Sequence, residues 1–246
     1  MTPKAKGLRL DERLASEARV SRTKAAGLIM SGTVTIDGRP ATKAGQLVAA
    51  DAALSWGDPP PVSRAAGKLA PVLRDWGIAV AGRIALDAGS STGGFTEVLL
   101  QGGAKRVYAV DVGTGQLAWK LRQDPRVVCM ERTDVRRLAL PETPELATVD
   151  LSFISLRLAL PSLENLLAPS SPVIALFKPQ FEVGKDAANK GSGVITDEAL
   201  ISHTLEAFLA WATDRGWTHH KTAVSEVTGA KGNRERLLWL TSPPAG

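Results

Sequence analysis

The chain has 246 residues, 44% hydrophobic and 22% charged, enough for a main α/β domain plus a small module. Its single cysteine, Cys129, excludes a disulfide framework and a cysteine-rich metal site, and fits a reducing cytoplasm. The net charge of +5 lies wholly in the first fifth: residues 1–50 hold nine Lys/Arg against four Asp/Glu, and the other 196 residues hold 21 of each. On charge alone this is either a grip for a polyanion or a solvated basic surface. The opening MTPKAKGLRLDERL has no apolar core of a secretory signal. No stretch approaches the ~18 apolar residues of a membrane span.

In chain order, residues 8–19 and 22–31 read as helices, the second with Ala25, Ala26, Leu28 and Ile29 at helical spacing. Ser21 is placed to cap that helix and Gly32 to stop it. Residues 33–36 alternate as a strand into the Asp37-Gly38 turn signal, and a second strand is expected near 46–56. The text RLDERLASEARVSRTKAAGLIMSGTVTIDGRPATKAGQLV resembles an S4 domain, a small α+β RNA-binding module. The resemblance implies that residues 1–56 bind RNA through basic side chains, here Arg9, Arg13, Arg22 and Lys24.

Residues 57–63 open with Gly57-Asp58-Pro59-Pro60-Pro61 and read as a stiff linker. From 64 to 246 the pattern is α/β. Strands are expected at 83–88, 106–111, 127–131, 147–151, 173–178, 221–227 and 235–240. Helices are expected at about 66–77, 94–102, 155–167 and 197–215. Ile84–Ala88 runs into the small-residue turn Gly89-Ser90-Ser91-Thr92-Gly93-Gly94-Phe95, whose glycines let a ligand approach the backbone. The next strand ends in Asp111, 24 residues after Asp87, where an acid accepts ribose hydroxyls. A dinucleotide fingerprint needs glycine two positions after Gly89, and Ser91 stands there instead. S-adenosylmethionine, which has a sulfonium and no phosphate, fits better, with Asp134 after the third strand as a further acid near adenine.

Transfer of a methyl group to a ribose hydroxyl needs a base, and a lysine serves only where burial or a second cation lowers its proton affinity. Lys178 ends the apolar run Val173–Phe177, Asp150 ends another, Lys68 precedes the main fold and Glu235 opens the last strand. The segments LDAGSSTGGFTEVLLQGGAKRVYAVDVGTGQLAWKLRQDPRVVCMERTDVR, VDLSFISL, LFKPQFEVGK and GNRERLLWL are similar to the TlyA family of rRNA cytidine 2′-O-methyltransferases. The implied fold is a Rossmann-like class I SAM-dependent methyltransferase, FtsJ-like, behind the S4-like module.

What the resemblance further implies is a Lys-Asp-Lys-Glu tetrad of Lys68, Asp150, Lys178 and Glu235. Lys178 would be the base or the residue that orients the hydroxyl, Asp150 its holder, Lys68 a second cation within reach of RNA phosphate, and Glu235 the orienter of the amines. S-adenosylmethionine would be held by Asp87, Gly89, Ser90, Ser91, Gly93, Gly94 and Phe95, then by Asp111, Val112 and Asp134. Arg64 would join the RNA contacts, ribosomal RNA or ribosomal subunits would be the partner, and the location would be cytoplasmic. The sequence departs from the family at Ala65-Ala66, where a Gly-Gly or Gly-Ala pair is usual.

His203, His219 and His220 lack metal-ligand spacing, and the last two read as a surface loop. Cys129 reads as core, while Trp119 and Phe181 read either as core or as stacking residues. Residues 184–193 read as a loop over the site. Two other functions stand beside the enzyme: an RNA-binding assembly factor on an inactive methyltransferase fold, and a membrane-lysing haemolysin, a label some family members carry. The first needs a missing cofactor acid or lysine, the second an amphipathic segment; the sequence supplies neither.

Overall fold

Two compact units, divided between Pro61 and Val62, make up the computed structural model, which describes residues 7–57, 61–184, 193–229 and 231–244. Part of the linker and most of the expected loop at 184–193 lie outside those residues.

In the first unit, strand β1 (Leu8–Arg9) leads into helix α1 (Leu10–Glu17), so the first expected helix begins later than its apolar spacing suggested. Helix α2 (Arg22–Met30) is capped by Ser21, whose hydroxyl accepts the Lys24 N–H, and ends before Gly32 at φ +75°. Strand β2 (Val34–Ile36) turns through Asp37 and Gly38, both at positive φ, into β3 (Arg39–Pro40). The single strand expected near 46–56 is two: β4 (Leu47–Val48) pairs with β1, and β5 (Leu54–Trp56) pairs with β2. Leu10, Leu14, Ala25, Ile29 and Val34 form the core between helices and strands.

The second unit is a seven-stranded sheet whose inner strands are apolar and buried, while the seven-residue edge strand is polar and mostly exposed. Helix α3 (Ala66–Asp75) leads to β6 (Ile84–Ala88), helix α4 (Gly94–Gln101), β7 (Arg106–Val110), the short α5 (Trp119–Arg122) and β8 (Val127–Met130). Then come β9 (Leu146–Val149), α6 (Leu156–Glu164), β10 (Pro172–Phe177), the one-turn α7 (Pro179–Glu182) and α8 (Glu198–Asp214). Strands β11 (Thr218–Val224) and β12 (Arg236–Thr241) close the sheet.

The order β11-β12-β10-β9-β6-β7-β8 has β6 to β10 parallel and β12 inserted antiparallel between β10 and β11. Alternate residues of each strand feed two cores. Ala85, Ile174 and Leu237 meet Leu69 and Leu99 on one face, while Leu86, Ala175 and Leu238 meet Leu160 and Phe208 on the other. His219 and His220 lie in edge strand β11, not in a loop, because that strand begins at Thr218.

After β6 the chain proceeds to one side through β7 and β8, then returns to the other side at β9. The carboxyl ends of β6 and β9 therefore border the switch point at which such sheets open a crevice.

Candidate active site

Gly89, directly after β6, takes φ +89°, and a Cβ there would collide with the carbonyl of Asp150 at the end of β9. Only a bare backbone lets these two strand ends approach so closely. Three cavities meet at this point, and each is lined by Gly89, Ser91 and Asp150.

The first, about 500 Å³, runs along the ends of β7 and β8 between Asp111, Val112 and Asp134 on one side and Phe153 and Ile154 on the other. Asp111 accepts the N–H groups of Ser91 and Gly113 at 2.8 and 2.7 Å, which ties the turn after β6 to the turn after β7. Asp134 accepts the Arg136 backbone and guanidinium, which hold its carboxyl down at about 2. Glu131, absent from the expected set, accepts the N–H groups of Gly115, Gln116 and Leu117 and pairs with Arg122, so it shapes the wall that carries Val112. Those backbone donors keep its carboxyl below the ordinary value.

A second, polar cavity of about 290 Å³ lies between the start of α3 and the start of α4. Ser63, Arg64, Lys68, Ser90, Thr92, Gly94 and Phe95 line it. A Cβ on Gly94 would strike the Ser63 hydroxyl, so this glycine too keeps the space open.

The third cavity, about 560 Å³, holds Lys68, Asp150, Lys178 and Glu235 on one wall. Two ion pairs stand there. Lys178 Nζ lies 2.6 Å from Asp150 Oδ1 and donates to Ser152 Oγ at 3.2 Å; Lys68 Nζ donates to Glu235 Oε2 at 2.6 Å. Both amines are at least nine-tenths buried, placements that a paired carboxylate offsets. Among the described residues Glu235 pairs with Lys68 and Asp150 with Lys178, so one carboxylate serves each amine rather than Glu235 serving both. Phe153, 92% exposed at φ +66°, tilts against Phe181 with centroids 5.5 Å apart at the rim. Glu182 accepts Ser155 Oγ and the Leu156 N–H, tying α7 to the start of α6; burial pushes its carboxyl up.

Several expected residues sit elsewhere. Asp87 is fully buried and lines none of these cavities. Its oxygens accept the hydroxyls of Thr96 (2.6 Å) and Thr148 (2.9 Å), and burial lifts its carboxyl to about 6. Asp87 points into the sheet because it shares a face with Ala85, while the crevice opens beyond the strand end. Gly93 also lies off the cavity walls; at φ +99° it packs so closely on Leu117 and Leu121 that a Cβ would clash with both.

In the first unit, Arg13 donates to the carbonyls of Ala49 and Ala52 and pairs with Glu17, so it holds the fold. Arg9 and Arg22 flank the buried Asp11, whose carboxyl they hold far below its ordinary range. Lys24 is exposed on α2. Helical spacing could not show that acid partners and carbonyls use three of the four cations expected to meet RNA. Trp119 is 73% exposed, which overturns its reading as core, and Cys129 is half-buried against the core with its thiol pushed up by burial.

Known proteins share both units. Residues 61–242 match the FtsJ-like methyltransferase family and residues 8–53 match the S4 domain. The 16S/23S rRNA (cytidine-2′-O)-methyltransferase TlyA of Mycobacterium tuberculosis is 46% identical over 231 residues, 89% of this chain and 84% of that protein. Hemolysin A of Brachyspira hyodysenteriae is 38% identical over 236 residues, covering 94% of this chain and 98% of its own. A solved structure described as a hemolysin of Streptococcus thermophilus superposes with a TM-score of 0.72 at 38% identity, covering 97% of this chain and 89% of that one.

Proposed function

Because the chain belongs to the FtsJ-like methyltransferase family, in the TlyA group that carries an S4 domain ahead of it, we propose that it transfers a methyl group from S-adenosylmethionine to the ribose 2′-hydroxyl of cytidine in ribosomal RNA. The observation that carries the reading is the convergence of the Lys178–Asp150 and Lys68–Glu235 pairs on one cavity that shares Gly89 and Ser91 with its neighbours.

The crevice fits the cofactor on its own chemistry. Asp111, already oriented by two backbone donors, has lone pairs left for ribose hydroxyls. Val112 and Ile154 offer apolar faces to a base. Arg64 and the backbone N–H groups of Gly94 and Phe95, which start α4 at the second cavity without a side-chain cap, suit a carboxylate there. When bound, the cofactor supplies an electrophilic methyl on a cationic sulfur. Asp87 acts from beneath, holding Thr96 of α4 and Thr148 of β9 against the turn after β6.

The RNA hydroxyl enters the third cavity. Lys178, steered by Asp150 and Ser152, holds the hydroxyl oxygen, and the pair receives its proton as the new carbon–oxygen bond forms. Lys68, fixed by Glu235, presents a cation to the neighbouring phosphate. Phe153, supported by Phe181, presents a ring face at the rim on which a displaced base stacks. The first unit supplies further RNA contact, and an RNA-modifying enzyme of this kind works in the cytoplasm. Among the described residues no helix is long and apolar enough to cross a bilayer.

The test is transfer of labelled methyl to ribosomal RNA or subunits from cells that lack this protein, with the product position mapped. Lys178→Ala is expected to abolish transfer while the cofactor still binds; normal turnover in that variant removes the lysine from the mechanism.

A further inference from the structure

We propose that Gln180 reads the base of the nucleotide whose ribose is methylated, its side-chain amide pairing with the edge of cytosine that carries the amino group. The inference rests on the activity proposed above and deepens it: it names how the substrate cavity chooses its base.

Gln180 stands two residues after Lys178, on α7, and lines the same 560 Å³ cavity. Its Oε1 is buried and accepts no hydrogen bond from any described residue. Asp150 Oδ1 on the same wall also lacks a hydrogen bond but lies 2.6 Å from the Lys178 amine, and the other buried or half-buried polar side chains there have partners. Lys68 has Glu235, Lys178 has Asp150 and Ser152, and Asn233 accepts the Ile195 N–H and donates to the Gly193 carbonyl. A buried amide oxygen without a donor is an unfavourable resting state. It is relieved when the amide turns into the cavity and a ligand brings an N–H to its oxygen.

The ligand this cavity takes brings such a group. With its 2′-hydroxyl at Lys178, the nucleotide places its base toward α7, where Phe153 and Phe181 offer ring faces. Cytosine presents a donor at its amino group and an acceptor at the adjacent ring nitrogen, the complement of one amide oxygen and one amide nitrogen. Uracil presents the reverse: a carbonyl faces Oε1 and an N–H faces the amide nitrogen. A site with a fixed buried acceptor rejects the base that cannot satisfy it more strongly than it favours the one that can.

The experiment compares methyl transfer to ribosomal subunits that carry cytidine or uridine at the position the wild-type protein modifies, under single turnover and saturating cofactor. The wild type is expected to prefer cytidine by about tenfold or more. Gln180→Ala and the near-isosteric Gln180→Met should slow the cytidine reaction and bring the two rates to within about twofold. Gln180→Glu should also erode the preference, because the oxygen that replaces the amide nitrogen repels the cytosine ring nitrogen and accepts the uracil N–H. Cofactor binding, measured on each variant, is expected to stay at the wild-type level. An unchanged cytidine-to-uridine ratio in Gln180→Met overturns the base-reading role and leaves the methyltransferase reading standing. A wild-type protein that methylates no ribosomal RNA overturns the activity itself.

Discussion

Replacing Asp87 by Asn removes a charge from the centre of the sheet while keeping its shape. In the folded protein this carboxyl is completely buried, accepts the Thr96 and Thr148 hydroxyls and titrates at about 6, against 3.8 when free. A tenfold change in proton affinity corresponds to about 1.4 kcal/mol, so the ionised form costs the native state about 3 kcal/mol relative to the unfolded chain. The direction is opposite to that of a salt-bridged carboxylate. The native state holds this proton more tightly, so the penalty is absent below about pH 4. Stability then falls as pH rises to about 6, with the full cost present above.

Asparagine is neutral in both states and can accept one threonine hydroxyl while donating to the other. In urea unfolding, Asp87→Asn should match the wild type near pH 4 and exceed it by about 3 kcal/mol at about pH 8. Its affinity for S-adenosylmethionine should fall, since the charge that costs stability lies beneath a crevice for a cationic sulfur. A variant no more stable than wild type in mild alkali, with an unaltered pH profile, would falsify this reasoning.

Other substitutions separate stability from chemistry. Glu235→Ala leaves the buried Lys68 amine without its partner and should cost about 3–5 kcal/mol in urea unfolding. Adding Lys68→Met should recover most of that stability and none of the methyl transfer. Phe153→Ala should weaken productive RNA binding by about 1–3 kcal/mol, read as a raised KM for subunits at unchanged cofactor affinity. In the first unit, Arg13→Ala should lower the unfolding midpoint because two carbonyls and Glu17 lose their donor, whereas Lys24→Ala should weaken binding to ribosomal RNA and leave the midpoint unchanged.

Residues carried by local pattern were legible in the sequence. Gly89 and Asp111 end apolar strands, and Lys178 follows five apolar residues, so their proximity to a crevice follows from strand direction alone. Pairing was not legible. Lys68 and Glu235 are 167 residues apart, and only the insertion of β12 beside β10 brings the glutamate to the amine. Asp87 looked like a crevice acid because it precedes the turn, yet the two-residue alternation of a strand directs it inward. Arg9 and Arg22 looked free because sequence spacing does not reveal that Asp11 is buried between them. Gln180 carried no signal at all; only the absence of a partner for its oxygen, visible once the wall is assembled, singles it out.

The place of β12 has a consequence for how the protein comes into being. A ribosome delivers β10, then the edge strand β11, and only afterwards the strand that must slip between them and carry Glu235 to Lys68. Until those last residues leave the exit tunnel, Lys68 has no counter-charge and the sheet has a gap. A nascent chain of this sequence therefore holds a buried amine without its carboxylate until β12 is in place.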